Sequence, residues 1–212
     1  MVTNTSTLLQ YQRVFAVRHA TRARSYRPTL FELESTRSMI ARLIGVFFMA
    51  FLAACAPMRV EQFSGKGEPF DLFAYFDGQT KAYGLFEDRF GKVRRQFVVD
   101  IKGTIEDNVI TLDEDFVYDD GEEQNRVWTI TKTSSGTYEG RAGDIIGTAK
   151  GVESGNALNW SYDMTLSIGG RDVQVHFDDW MFRQADNVVL NRAKVTKFGI
   201  ELGTVTLAFV KP

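Results

Sequence analysis

Cys55 is the only cysteine in the 212 residues, and its setting is the clearest chemical signal in the chain. It follows Leu52-Ala53-Ala54 at the end of an apolar run that begins at Leu43, with Arg37 and Arg42 ahead of the run. A basic stretch, a short apolar stretch and small residues at the cleavage point make a secretory signal. A cysteine directly after the small pair adds a nucleophile that can take a diacylglyceryl group as a thioether, and cleavage after Ala54 then frees an amino group for a further acyl chain. The pattern predicts lipidation at Cys55 and cleavage at Ala54. A membrane span, the competing reading, needs about 20 apolar residues; this run is shorter and closes at Pro57. Acyl chains contribute about 0.8 kcal/mol per buried methylene, and two or three of them hold a protein on a membrane where one does not. With its thiol used in this way, the mature chain has no disulfide, no thiolate metal site and no cysteine nucleophile.

Other chemistry is thinly represented. His176 is the only histidine after Cys55, and a catalytic triad would require a nucleophile and a carboxylate beside it; Ser161 and Asp178 are present, but the alternation puts His176 with Gln174 and Asp178 on a polar face. The carboxylates Asp113, Glu114, Asp115, Asp119, Asp120, Glu122 and Glu123 lack the spacing of a calcium-binding loop, and most belong to the outer face of a strand or to a turn at Gly121. Glu114 is the exception, sharing the apolar parity of Leu112 and Phe116, so it needs a partner; Arg126 or Arg89 could supply it. No phosphate-cradling glycine loop occurs, and neither a cofactor nor a metal is expected.

These residues must be positioned by strands. From about Lys81 the apolar residues recur with period two: Leu158, Trp160, Tyr162, Met164, Leu166 and Ile168 alternate with polar neighbours. The same holds for Phe97, Val99 and Ile101, for Ile110, Leu112, Phe116 and Tyr118, for Trp128 and Ile130, and for Val205, Leu207 and Phe209. Asp107-Asn108, Asp120-Gly121, Ser135-Gly136, Gly155-Asn156, Gly169-Gly170 and Asp186-Asn187 separate them with turn chemistry at hairpin spacing. The prediction is an all-β domain of about eight to ten antiparallel strands, an up-and-down barrel or a strongly curved meander, lipocalin-like. One strand breaks the pattern. Val173, Val175 and Phe177 hold one parity and Trp180 and Phe182 the other, which predicts a β-bulge at Asp178-Asp179. Bulges re-aim side chains near sites, so Asp178 and Asp179 are candidates for a polar site there.

The chain divides accordingly. Residues 1–38 are rich in arginine, serine and threonine without an apolar period, and form a basic extension that cannot build a core or lie upstream of a start at Met39, the favoured reading. Residues 39–54 are the signal, 55–70 a tether punctuated by Gly65, Gly67 and Pro69, and 71–212 one β domain. Phe70, Leu72, Phe73, Tyr75 and Phe76 cluster ahead of it as a short helix or plug. The net charge is -2 for the whole chain, but the basic residues concentrate ahead of Cys55, so the mature portion is acidic and lacks the basic face that nucleic-acid binding needs. Lys92, Arg94 and Arg95 are a local exception, read as a solvated edge.

Asp88-Arg89-Phe90-Gly91, Leu112-Asp113-Glu114-Asp115-Phe116, Tyr118-Asp119-Asp120-Gly121-Glu122 with Arg126-Val127-Trp128, Gly155-Asn156-Ala157-Leu158 and Asp178-Asp179-Trp180-Met181 together resemble a family of bacterial lipoproteins of unknown function, over roughly Gly65 to Phe209. The resemblance implies a lipid-anchored, lipocalin-like β domain of Gram-negative bacteria and brings no established activity. Gly84-Leu85-Phe86 is also similar to the Gly-x-Trp entry of true lipocalins, with Phe in place of Trp.

The functional expectation is a binding module rather than an enzyme: an envelope lipoprotein on the periplasmic side of the outer membrane, since Ala56 rather than Asp follows Cys55. Its barrel would accept a fatty acid or another apolar molecule, with Trp128, Trp160, Phe177 and Trp180 in the lining. The alternative is a structural or assembly lipoprotein with a filled core that binds an envelope protein.

Overall fold

The turn dipeptides do what their chemistry demands, and the strands between them close on themselves. The computed structural model describes residues 57–168 and 170–212; the signal, Ala54, Cys55 and Gly169 lie outside the described residues. The strands are β1 (Gly78–Asp88), β2 (Val93–Glu106), β3 (Val109–Tyr118), β4 (Glu123–Ser134), β5 (Thr137–Arg141), β6 (Ile145–Ser154), β7 (Ala157–Ile168), β8 (Arg171–Arg183), β9 (Val188–Lys197) and β10 (Ile200–Val210). Each pairs antiparallel with the next, and β1 pairs with β10 from Lys81↔Val210 to Asp88↔Gly203, so the sheet is a closed ten-stranded barrel with no free edge. Among the described residues no helix is long and apolar enough to cross a membrane.

Alternation then sorts side chains between the interior and the outer surface. Val99 and Ile101, Ile110 and Leu112, Trp128 and Ile130, and Trp160, Tyr162 and Met164 are buried in one continuous core. Space for the larger rings comes from residues with no side chain. A Cβ at Gly140 or Gly151 would lie 2.5 or 2.3 Å from the Trp160 ring, so the indole lies across two neighbouring strands where any other residue would displace it.

One end of the barrel is stoppered. Asp71 caps the short helix α1 (Leu72–Phe76) by accepting from the Ala74 N–H at 3.0 Å, and Lys211 Nζ donates to the carbonyls of Ala74, Tyr75 and Asp77 at 3.3, 3.0 and 2.6 Å at its other end. Leu72, Phe73, Tyr75 and Phe76 are all buried. The Tyr75 hydroxyl donates toward the carbonyls of Asn187 and Phe209 at 2.8 and 3.1 Å, and burial pushes its pKa up to about 12. Gly103 marks how closely the plug approaches the wall: a Cβ there would stand 1.7 Å from the Phe76 carbonyl oxygen. The aromatic cluster is therefore a plug built on one helical turn.

Two expectations need correction. The tether anticipated over 55–70 is not free along its length. A 3-10 helix at Val60–Phe63 buries Val60, and Phe70 is buried with its N–H bonded to the Gly155 carbonyl at 2.8 Å. Nor is there a bulge at Asp178-Asp179. β8 runs in unbroken register with β7 from Ile168↔Arg171 to Ala157↔Phe182, and with β9 from His176↔Thr196 to Arg183↔Val189. Strict alternation carries Phe177, Asp179 and Met181 inward and puts Trp180 and Phe182 outside. The outer pair is apolar because it is covered: the Phe63 ring lies 6.1 Å from Trp180 and 5.2 Å from Phe182.

The β9–β10 hairpin makes a separate prediction. Lys197 and Ile200 are partners in register, leaving a two-residue loop in which both Phe198 (φ 50) and Gly199 (φ 76) are left-handed. Asn-Gly suits such a turn, whereas a bulky residue at positive φ is strained by about 1 to 2 kcal/mol. Phe198 is 93% exposed and gains little from burial in return. Phe198→Asn should raise unfolding free energy by about 0.5 to 1 kcal/mol in a denaturant titration; a loss of stability would mean the ring makes a contact the fold requires.

Candidate binding site

The barrel holds a cavity of about 730 Å³, within the range of sites for one small molecule. The plug residues Leu72 and Phe76 form its floor. Glu122 and Gln124, both exposed at the β3–β4 end, line it as well, so the cavity opens to solvent at the end opposite the plug.

Its wall is mainly aromatic and aliphatic. Trp128 meets Trp160 and Tyr162 edge-on at 5.7 and 5.4 Å, and Tyr162 stacks on Phe177 at 5.1 Å. Of the residues anticipated as lining, Trp128, Trp160 and Phe177 face the cavity and Trp180 does not. Trp180 instead donates from Nε1 to Asp178 Oδ2 at 3.3 Å, and Asp178 also accepts from Asn159 at 2.7 Å. The pair proposed at the bulge is thus divided, Asp178 on the outer surface and Asp179 in the cavity.

At the mouth Arg95 donates to both oxygens of Asp120 at 3.0 Å, pairs with Glu122, and lies 3.6 Å over the Tyr118 ring. The basic cluster expected as a solvated edge is accordingly split. Arg94 bonds Asp88 at 2.6 Å, whereas Arg95 turns to the cavity rim.

Deeper lies a charged group. Register places Glu114 opposite Arg126, and their side chains approach to 4.0 Å, the pairing that the parity of Glu114 required. Arg126 is gripped more closely by Asp144, with Nε 3.2 and 3.0 Å from its two oxygens and a second nitrogen at 2.9 Å. Burial opposes the charge on Arg126, but Glu114, Tyr162 and Asp144 together hold its pKa above the ordinary value. One guanidinium does not neutralise its surroundings. Desolvation raises Glu114 to about 7 against the pull of Arg126, and desolvation likewise raises Asp179 to about 7 against a hydrogen bond from Tyr162. Tyr162 donates to Asp179 Oδ2 at 3.3 Å, and burial, reinforced by that carboxylate, lifts its own pKa well above the ordinary value.

Two members of this group are not anticipated from sequence. Asp144 sits in the β5–β6 turn, where sequence gives no parity. Asn191 has a readable signal, a polar residue at the parity of Val189, Ala193 and Val195, and it is 2% exposed. Among the described residues neither atom of its amide head has a hydrogen-bond partner, and the same holds for Asp179 Oδ1.

On the outer face, His176 Nδ1 lies 2.8 Å from Asp163 Oδ1, and its Nε2 lies 3.3 Å from Ser161 Oγ. Asp163, not Asp178, is therefore the carboxylate beside His176. The order matches that of a triad, but all three residues stand on the outer face of the barrel, away from the cavity. Among the described residues no group of three or more acidic, histidine or cysteine side chains is placed to hold a metal ion.

Fold and cavity together define a closed antiparallel barrel with a mixed aromatic and charged interior. The chain belongs to the family described as "Protein of unknown function (DUF3833)", whose model matches residues 49–211. No match was found among curated proteins.

Proposed function

We propose that this protein is a lipid-anchored component of a Gram-negative cell envelope, facing the periplasm from the outer membrane, and that it binds an apolar small molecule inside its barrel. The observation that carries the binding reading is the cavity itself: about 730 Å³, apolar over most of its wall, stoppered at one end and open at the other. A domain needing only a stable core would fill that space, because unfilled volume in a core costs stability. The anchoring reading is supported by the Leu52-Ala53-Ala54-Cys55 pattern, which falls within the residues shared with the family.

A brominated long-chain lipid should quench tryptophan emission in a saturable, one-to-one manner. Because Trp160 faces the cavity and Trp180 the outside, Trp160→Phe should remove much of the quenching and Trp180→Phe little of it; equal effects, or no saturation, would count against an interior site. Anchoring is tested by palmitate labelling, expected in the native chain and lost in Cys55→Ser. Label that persists in the variant would place the lipid elsewhere.

A second reading, contact with an envelope protein, is favoured by two exposed rings at the open end, Phe90 (81% exposed) and Phe198 (93%). A photocrosslinker at position 198 should then capture one partner stoichiometrically, and only free chain would be recovered if the reading fails.

A further inference from the structure

Arg126 is shared unequally between its two carboxyl partners. Nε and Nη2 are committed to Asp144, at 3.0 and 2.9 Å, which leaves Nη1 turned to Glu114, and Glu114 Oε2 stands 4.0 Å from it, beyond a hydrogen bond. The gap is open. Glu114 keeps 13% of its side-chain surface exposed, Arg126 20% and Asp144 35%, and all three line the cavity, whereas the unpaired atoms of Asp179 and Asn191 are sealed within the wall. One oxygen atom placed above the gap would lie about 2.8 Å from the guanidinium nitrogen and about 2.6 Å from the carboxyl oxygen, the lengths of charge-assisted hydrogen bonds. Below the gap the wall is apolar, with Leu112, Trp128 and Ile130 leading down to Leu72 and Phe76 of the plug.

We propose that this gap receives the carboxyl group of a long-chain carboxylic acid, which accepts from Arg126 Nη1 and shares one proton with Glu114, while its alkyl chain runs toward the plug. The inference rests on the binding function proposed above and names the class of its ligand. Two carboxyls that meet at close range hold one proton between them, since both cannot ionise there. With that proton, ligand and Glu114 together carry the single negative charge that ionised Glu114 carries alone, so the acid enters without adding charge to the interior. Glu114 is suited to this, because desolvation raises it to about 7 against the pull of Arg126 and it has a proton to share near neutral pH. The other groups that face it are engaged elsewhere. Arg95 on β2 lies over Tyr118 and pairs with Asp120 and Glu122, and Asp144 from the β5–β6 turn is held on Arg126. Tyr162 on β7 donates to Asp179 on β8, and Asp113 is on the outer face, bonded to Asn125. An ammonium head would meet Glu114 but would offer Arg126 no acceptor and would stand beside its positive charge.

Calorimetry of dodecanoate binding to the full chain tests this, with dodecanol as an uncharged control and the isosteric Glu114→Gln as the variant. Dodecanoate should bind about tenfold more weakly at pH 8 than at pH 6, because Glu114 holds the shared proton only at the lower pH. Buffers of different ionisation heat should reveal about one proton taken up on binding at pH 8 and almost none at pH 6. Dodecanol should show neither effect. A glutamine amide donates to the ligand carboxylate at any pH, so Glu114→Gln should bind dodecanoate at pH 8 about as tightly as the native chain does at pH 6, without proton uptake. Dodecanoate affinity that does not change with pH, an equal fall for dodecanol, no proton uptake at pH 8, or a variant that binds dodecanoate more weakly than the native chain at pH 8 would each overturn the carboxyl assignment. Binding of dodecanol alone would overturn it too and leave the binding function standing. Failure of both probes to bind would overturn both.

Discussion

Arg126→Met should lower unfolding free energy at pH 8 by roughly 2 to 3 kcal/mol, short of the loss for a fully buried ion pair because the Arg126 and Asp144 side chains keep 20% and 35% of their surface exposed. The loss comes from what the substitution strands. Asp144 loses the guanidinium that meets both its oxygens, and Glu114 loses the cation opposite it. Arg126 also lies over the Phe116 ring at 5.2 Å, a contact that methionine replaces with dispersion of similar volume. The stranded carboxyls can escape by taking up protons, so the same variant should lose much less at pH 5. Adding Glu114→Gln should recover a large part of the deficit at pH 8, because the two residues share one interaction. Urea titrations of the single and double variants at both pH values measure this. A pH-independent loss would assign the effect to packing rather than to charge.

The native chain should itself become less stable as pH rises from 5 to 8, with Asp179 and Glu114 responsible. Both carboxyls have ordinary values of 3.8 and 4.5 and are raised to about 7 in the folded protein, chiefly by burial. A raised folded value means the folded state holds its proton more tightly than the unfolded chain. The contribution is therefore complete below about pH 4 and is lost as pH climbs through about 7, at a cost on the order of 3 kcal/mol per group before their mutual repulsion is counted. Asp88, Asp120 and Glu122 act oppositely. Backbone and side-chain hydrogen bonds, with the charges of Arg94 and Arg95, hold them below their ordinary values, so their contribution is lost only as pH falls through those lowered values. Stability should accordingly peak near pH 4, where the raised carboxyls still hold their protons and the lowered ones are still ionised. Asp179→Asn should flatten the decline toward pH 8 and leave stability at pH 5 within about 1 kcal/mol of native; thermal melts across this range would contradict the assignment if the variant followed the native curve.

Much of this arrangement is legible from residue types. Alternation and turn chemistry are local properties, so the strongly periodic strands β2, β3, β4, β7 and β10, most of the hairpin tips and the plug-forming cluster can be read before any pairing is known, whereas β5, β6 and β9 carry too weak a period to be placed this way. The need of Glu114 for a partner is legible for the same reason, since a carboxyl at an apolar parity has few ways to survive burial; parity leaves Arg126 and Arg89 open, and strand register selects Arg126. What alternation cannot reveal is which face of a strand another segment covers. Apolarity alone sends Trp180 and Phe182 inward, but their partner is Phe63, more than a hundred residues earlier, packed on the outside of the barrel. That one long-range contact turns an apparent bulge into a regular strand and moves Asp179 from a supposed kink into the cavity. Asn191 is equally legible by parity, although the small aliphatic residues around it make a weak pattern in which a polar residue does not stand out. Asp144 is not legible at all, since its part in the interior depends on a turn residue reaching Arg126 on another strand.

The most direct test of an interior apolar site is native mass spectrometry of the chain purified from its own membranes into a gentle, lipid-free solution. The expected spectrum shows protein carrying one small apolar molecule, released on unfolding and replaced one-to-one by added dodecanol. A spectrum of bare protein that takes up no added lipid would contradict an interior binding site.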